Sequence, residues 1–287
     1  MSYLTSIFQA ILQALCAVLP LSESGHSAIF HDFAGRYSGA VSQLTGVIHI
    51  GIALGLIIVF WKFFLGQSIE FFGGFAELFT KKLDLKATKS RRSFMYMTCI
   101  SFAFSIFLAL PLGKGKNLFF VTRSLSYNGT ILDEGIFFCI FAVLIFFTAH
   151  FLDSKKDTRK KITPLMACAL GAAAVISICF AGLSPLFCIF ASALLLGASK
   201  SSAMRYSVNL FVPILIVGGI RELCVAVTSV SFLCAFIALV ISAVITFFAF
   251  KLLTWVINNN KLRFFAFYDA TIGVVCIVTG IVELALK

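Results

Sequence analysis

Acidic side chains are scarce in this chain. Asp and Glu supply 12 of its 287 residues against 23 Lys and Arg, and charged residues of both signs make up only 12%. That scarcity excludes an ordinary soluble domain, where about a quarter of residues carry charge. The nine cysteines show no C-x-x-C spacing, and all of them, from Cys16 to Cys276, fall in apolar stretches. They read as small buried hydrophobes rather than as disulfides or metal ligands. The N-terminus lacks the charged n-region and small-residue cleavage site of a secretory signal, so Ile7–Leu19 is read as part of the mature fold.

What is present is apolar mass: 60% of residues are hydrophobic, with 34 Phe and 20 Gly. A bilayer span takes about 20 such residues, so the chain has room for roughly eight to ten segments. The expected fold is an all-α polytopic membrane protein in one integral domain, 1–287. Its basic residues come in two blocks, Lys81, Lys82, Lys86, Lys89, Arg91 and Arg92, then Lys155, Lys156, Arg159, Lys160 and Lys161. Between membrane spans, such blocks read as cytoplasmic loops lying against anionic lipid, not as a nucleic-acid surface.

Strong spans are expected over 41–64, 93–112, 135–152, 225–250 and 264–286, a short one over 206–220, and a surface amphipathic segment over 67–85. Lys114–Glu134 reads as a mixed-charge loop, with Asn128-Gly129-Thr130 as a turn signal. Two segments are broken by polar, helix-breaking runs, at Leu19-Pro20-Leu21-Ser22-Glu23-Ser24-Gly25-His26 and at Ala181-Gly182-Leu183-Ser184-Pro185. With the basic blocks cytoplasmic, these breaks enter from opposite faces and both termini lie outside. That is the pattern of an inverted repeat with two re-entrant helix pairs, whose halves are roughly 1–134 and 135–287.

A polar kink at membrane depth is costly unless it is buried in protein or lines a water-filled cavity. If Ser22 caps a helix running through His26, the free N–H groups of its first turn offer a seat for phosphate. Ser22 and His26, four apart, then share a face as a minimal nucleophile–base pair. The plainer alternative is a serine cap beside a locally bonded histidine. His49 and Asp269 lie deep enough to face the bundle interior, whereas Glu222 sits near a predicted end and reads as interfacial.

At these residues the chain resembles the bacterial undecaprenyl-pyrophosphate phosphatases of the bacitracin-resistance family. Gln13-x-x-x-Ala17-x-Leu19-Pro20-x-Ser22-x-Ser24-Gly25-His26 is similar to that family's E-G-x-T-E-F-L-P-(V/I)-S-S-T-G-H. Val47-Ile48-His49-Ile50-Gly51 resembles a span that in the family usually carries I-Q-L-G. Leu194 to Lys200, followed by Arg205-Tyr206-Ser207 and Val212-Pro213-Ile214, resembles L-x-G-x-S-R…R-F-S-F-L-x-x-I-P.

The resemblance implies removal of one phosphate from a polyprenyl pyrophosphate at the outer face of a bacterial cell membrane, recycling the cell-wall lipid carrier. It also implies a divalent cation, Mg²⁺ or Ca²⁺. Ser22, His26 and Glu23 are the catalytic candidates, and Gln13, Ser24, Gly25 and Ser184 the substrate-binding ones. Glu23 is the candidate metal ligand, and a homodimer is carried as a partner state. The departures fall on the chemistry. Gln13 and Ala17 stand where the family has two glutamates, Glu23 where it has the second paired serine, and Pro185 where its second motif has an arginine. These losses keep a second reading open, a non-hydrolytic transporter of polyprenyl phosphate or another anion, and a third, a silent binding partner.

Overall fold

The computed structural model describes residues 3–33, 42–79, 90–109, 131–154, 160–226 and 229–286. Among them the chain forms eleven helices: α1 Tyr3–Val18, α2 Glu23–Phe33, α3 Gln43–Val59, α4 Trp61–Phe79, α5 Ser90–Ala109, α6 Leu132–Asp153, α7 Pro164–Cys179, α8 Pro185–Leu195, α9 Lys200–Val225, α10 Phe232–Asn258 and α11 Leu262–Leu286. Hydrocarbon offers backbone groups no partner, so helices that satisfy themselves are the expected solution. Their starts are written in side chains. Ser42, Thr163, Ser199 and Ser231 each accept a first-turn N–H, and Pro follows at the head of α7 and α8.

Helices α6, α9, α10 and α11 are long and apolar enough to cross a membrane, and α3 with α4 forms a broken fifth, bent by 93°. This corrects the continuous span expected over 41–64. The helix stops at Val59, and the surface segment begins at Trp61 rather than at Gln67. An interfacial aromatic followed by Lys62 marks the place physically, and Arg92 holds α4 against α5 through Glu70 (3.1 Å) and Glu77 (2.5 Å). The short span over 206–220 is also corrected. α9 is one helix of 26 residues that begins at the Ser199 cap and passes through Pro213.

The two broken segments form hairpins of matched size, α1–α2 and α7–α8, each with arms of 16 and 11 residues. An 11-residue arm reaches about 17 Å, short of the roughly 30 Å of hydrocarbon. Phe8 and Phe30 pack at 5.3 Å across the first hairpin, and the Lys160 N–H donates to the Gly197 carbonyl across the open end of the second. Their tips meet inside the bundle, so the hairpins approach from opposite ends. The boundary drawn at 134/135 falls inside the first turn of α6. The 113–134 loop as far as residue 130, most of both basic blocks and the two terminal residues lie outside the described residues.

Candidate active site

Ser22 is the pin between the hairpins. Its Oγ accepts from the Gly25 N–H (3.0 Å) and the Gly182 N–H (3.0 Å) and donates to the Leu183 carbonyl (3.2 Å). One proton and two lone pairs are a hydroxyl's full capacity, and Ser22 is completely buried. The approach leaves no room for side chains. A Cβ on Gly25 would lie 2.6 Å from the Phe138 ring and 3.1 Å from Gly182 Cα, and Gly182 adopts φ +112°, a region open to glycine. The two kinks therefore converge, as the sequence led us to expect. The N-termini of α2 and of α8, whose cap is Ser184, come together; of their first-turn N–H groups that of Gly25 is taken by Ser22 Oγ, and Pro185 has none.

The expected hydrogen bond from Ser22 Oγ to His26 is not formed. His26 Nδ1 lies 2.7 Å from the Ser22 backbone carbonyl, and Nε2 lies 2.9 Å from Tyr268 Oη. A carbonyl only accepts, so Nδ1 carries the proton and Nε2 of the neutral ring accepts from Tyr268. The edge of Phe138 (5.2 Å, 84°) and the stacked face of Tyr268 (5.8 Å, 2°) fix the ring. Ser24, beside Ser22 at 3.3 Å between hydroxyls, is exposed on the same turn.

Glu23 is held from α3 and α9. His49 Nε2 donates to Glu23 Oε1 (3.0 Å), while Nδ1 lies 2.7 Å from Glu222 Oε2, an ion-pair contact in which the N–H is not aligned for a hydrogen bond. Close packing of α3 on α9 brings these groups together. A Cβ on Gly46 would lie 2.7 Å from the Gly219 carbonyl, and one on Gly219 would lie 2.8 Å from that of Gly46. The reading of Glu222 as interfacial is thereby corrected, since its carboxylate turns inward to His49. The sequence carried a signal for this, because His49 and Glu222 each follow their packing glycine by three residues on antiparallel helices. Tyr268 had no comparable signal.

Gln13 Oε1, Ser184 Oγ and both oxygens of Asp269 are also buried without a hydrogen-bond partner. The donor set does not fit a divalent cation held by the protein. Gln13 and Ala17 are not carboxylates, Glu23 is taken by His49, and the described residues hold no metal-binding group of three His, Cys, Asp or Glu.

Comparison with known proteins gives a family match over residues 6–275, to the bacitracin resistance protein BacA. A protein of Methanosphaera stadtmanae named undecaprenyl-diphosphatase is 26% identical over 283 residues, covering 97% of this chain and 98% of its own. Proteins of the same name from Christiangramia forsetii (28% over 290 residues, 97% and 98%) and Halothermothrix orenii (24% over 278 residues, 95% and 96%) are similarly related.

Proposed function

We propose, from the premise that this chain belongs to the bacitracin resistance protein BacA family, that it hydrolyses the pyrophosphate of a polyprenyl lipid to the monophosphate. The reaction recycles the cell-wall lipid carrier. The relatives named undecaprenyl-diphosphatase support hydrolysis over non-hydrolytic carriage of a lipid phosphate. The observation that carries the reading is the meeting of two helix N-termini at Ser22, with His26 and Glu23 on the first turn of α2.

The N–H groups of Glu23 and Ser24 on α2 and of Leu186 and Phe187 on α8 bind the pyrophosphate, the Gly25 N–H being taken by Ser22 and Pro185 having none. Buried dipoles aimed at its charge cost no reorganisation during reaction. His26 Nε2, released from Tyr268, takes a proton from the attacking water. The bond between the terminal phosphorus and the bridging oxygen breaks. The Glu23–His49 pair returns a proton to that oxygen, which leaves on the polyprenyl monophosphate. Ser22 holds the two hairpins together, while Ser24, Gly25 and Ser184 line the seat and Gln13, on α1, is the fourth substrate-binding residue.

Phosphate release from undecaprenyl pyrophosphate by the purified protein tests this reading, and wild-type release no higher than that of His26→Ala would sink it. The finer placement is proposed with it: a cell membrane, both termini outside, basic loops against anionic lipid, and a second copy as partner. Cysteine labelling from either side and the mass of the detergent-free particle test those points.

A further inference from the structure

A largely apolar cavity of about 850 Å³ opens far from the hairpin crossing. On α9 its residue Arg205 is separated from Glu222 by about 25 Å at helical rise, and Phe60, which caps the C-terminus of α3, is about 16 Å from His49. Since α3 and α9 run antiparallel, cavity and crossing lie at opposite ends of the same two helices.

The cavity is amphipathic and of one charge sign. Phe60, Phe250, Leu194 and Ile257 give it an apolar floor, and Lys200 and Arg205 give it cations. Lys200 Nζ donates one hydrogen to the Ile257 carbonyl (3.1 Å), which leaves two N–H groups of the ammonium for a ligand. Arg205 has no carboxylate partner among the described residues. An adjoining cleft of about 370 Å³ shares Phe60 and Arg205 and adds Lys62 and Arg91. Neither space is lined by Asp or Glu. Among the described residues, the acids Asp153, Glu70 and Glu77 at this end are engaged, Asp153 with Arg263 and the two glutamates with Arg92.

We propose that this cavity is a second lipid site, taking the phosphomonoester headgroup of a membrane lipid at the end of the bundle opposite the hydrolytic crossing. An ammonium beside an unpaired guanidinium fork matches the two charges of a phosphomonoester, and the aromatic and aliphatic floor receives the first carbons of its chain. A free anion would leave that floor unused, and a neutral headgroup would leave the cations unpaired. The proposal stands on the cavity alone and does not depend on hydrolysis at Ser22.

The test is retention of phosphatidic acid against phosphatidylcholine by the whole protein in nanodiscs, read by native mass spectrometry, with inorganic phosphate as competitor. Wild type is expected to favour phosphatidic acid about tenfold or more, with the preference weakening as salt rises. Arg205→Gln with Lys200→Gln should remove that preference while phosphate release at the crossing persists. If this pair fails to fold, Arg91→Gln should weaken the preference in part, and the wild-type comparison needs no variant. Equal retention of the two lipids, displacement by inorganic phosphate at matched concentration, or an unchanged preference in the folded variants would each overturn the proposal.

Discussion

The two hairpin tips share a backbone plan and differ in chemistry. Each has arms of 16 and 11 residues and a serine at the head of the shorter arm, Ser22 in one and Ser184 in the other. After Ser22 come Glu23, Ser24, Gly25 and His26; after Ser184 come Pro185, Leu186, Phe187 and Cys188. Both serines are fully buried, yet Ser22 Oγ uses every donor and acceptor it has, and Ser184 Oγ has no partner. In the proposed reaction one hairpin thus carries the reacting groups and the other contributes backbone and dipole. A phosphate seat needs two helix N-termini but only one set of proton-handling side chains.

The sharpest way to break this asymmetry is to remove the reacting group of the richer tip. His26→Ala should lower phosphate release by about 10²- to 10⁴-fold, the usual range for an acid–base residue. Thermal stability should barely change, because Tyr268 is exposed and the Ser22 carbonyl keeps its bond from the His26 backbone N–H. A rate within a few-fold of wild type would mean that the chemistry lies elsewhere. Ser22→Ala comes next. It leaves the buried Gly25 and Gly182 N–H groups and the Leu183 carbonyl without their hydroxyl partner, each worth about 1 kcal/mol. The protein should lose about 2–4 kcal/mol of stability in detergent, measured by denaturant unfolding, and activity should fall with the folded fraction.

Glu23 and His49 are the places where this chain departs together from the family pattern, and they touch. A double-mutant cycle of Glu23→Gln and His49→Gln on phosphate release should show a coupling of about 0.5–3 kcal/mol. Additive losses would mean that the contact is incidental. Removing divalent cations with a chelator should cost less than about tenfold in rate, an effect of under about 1.4 kcal/mol, because the described residues supply no metal-holding set. A complete loss would require ligands brought by the substrate to dominate the chemistry.

Much of the fold was legible in sequence because its signals are local. Apolar runs between basic blocks locate α5, α6 and α11 to within a few residues, whereas the starts of α9 and α10, set by the caps at Ser199 and Ser231, lie about six or seven residues from where the apolar runs place them. The bend at Phe60 was missed because the apolar run continues through Phe64, while the pairing of Arg92 with Glu70 and Glu77 that holds α4 against α5 is tertiary. The meeting of the two kinks was readable from their opposite entry. The roles inside the crossing were not, since they depend on contacts between residues far apart in the chain. Ser22 looked like a nucleophile because its spacing to His26 is helical, but at that spacing the imidazole reached the carbonyl, and Gly182 and Leu183 took the hydroxyl.

The smallest expected effect is also the cleanest comparison. Ser184→Ala removes a hydroxyl that is buried without a partner. Burying such a group costs about 1–3 kcal/mol in mutational data, so its removal should leave stability unchanged or raise it slightly, opposite in sign to Ser22→Ala. The α8 N-terminus survives the change, because Ser184 makes no side-chain cap hydrogen bond and Pro185 still presets the first turn. Activity then separates two uses of the hydroxyl. If it is only a leftover of the repeat, phosphate release should stay within about twofold of wild type. If it faces the bound pyrophosphate, KM should rise by about five- to tenfold with kcat little changed, the signature of lost uniform binding. A loss of stability comparable to that of Ser22→Ala would make the tips equivalent after all, and the division of labour between the two hairpins would fall.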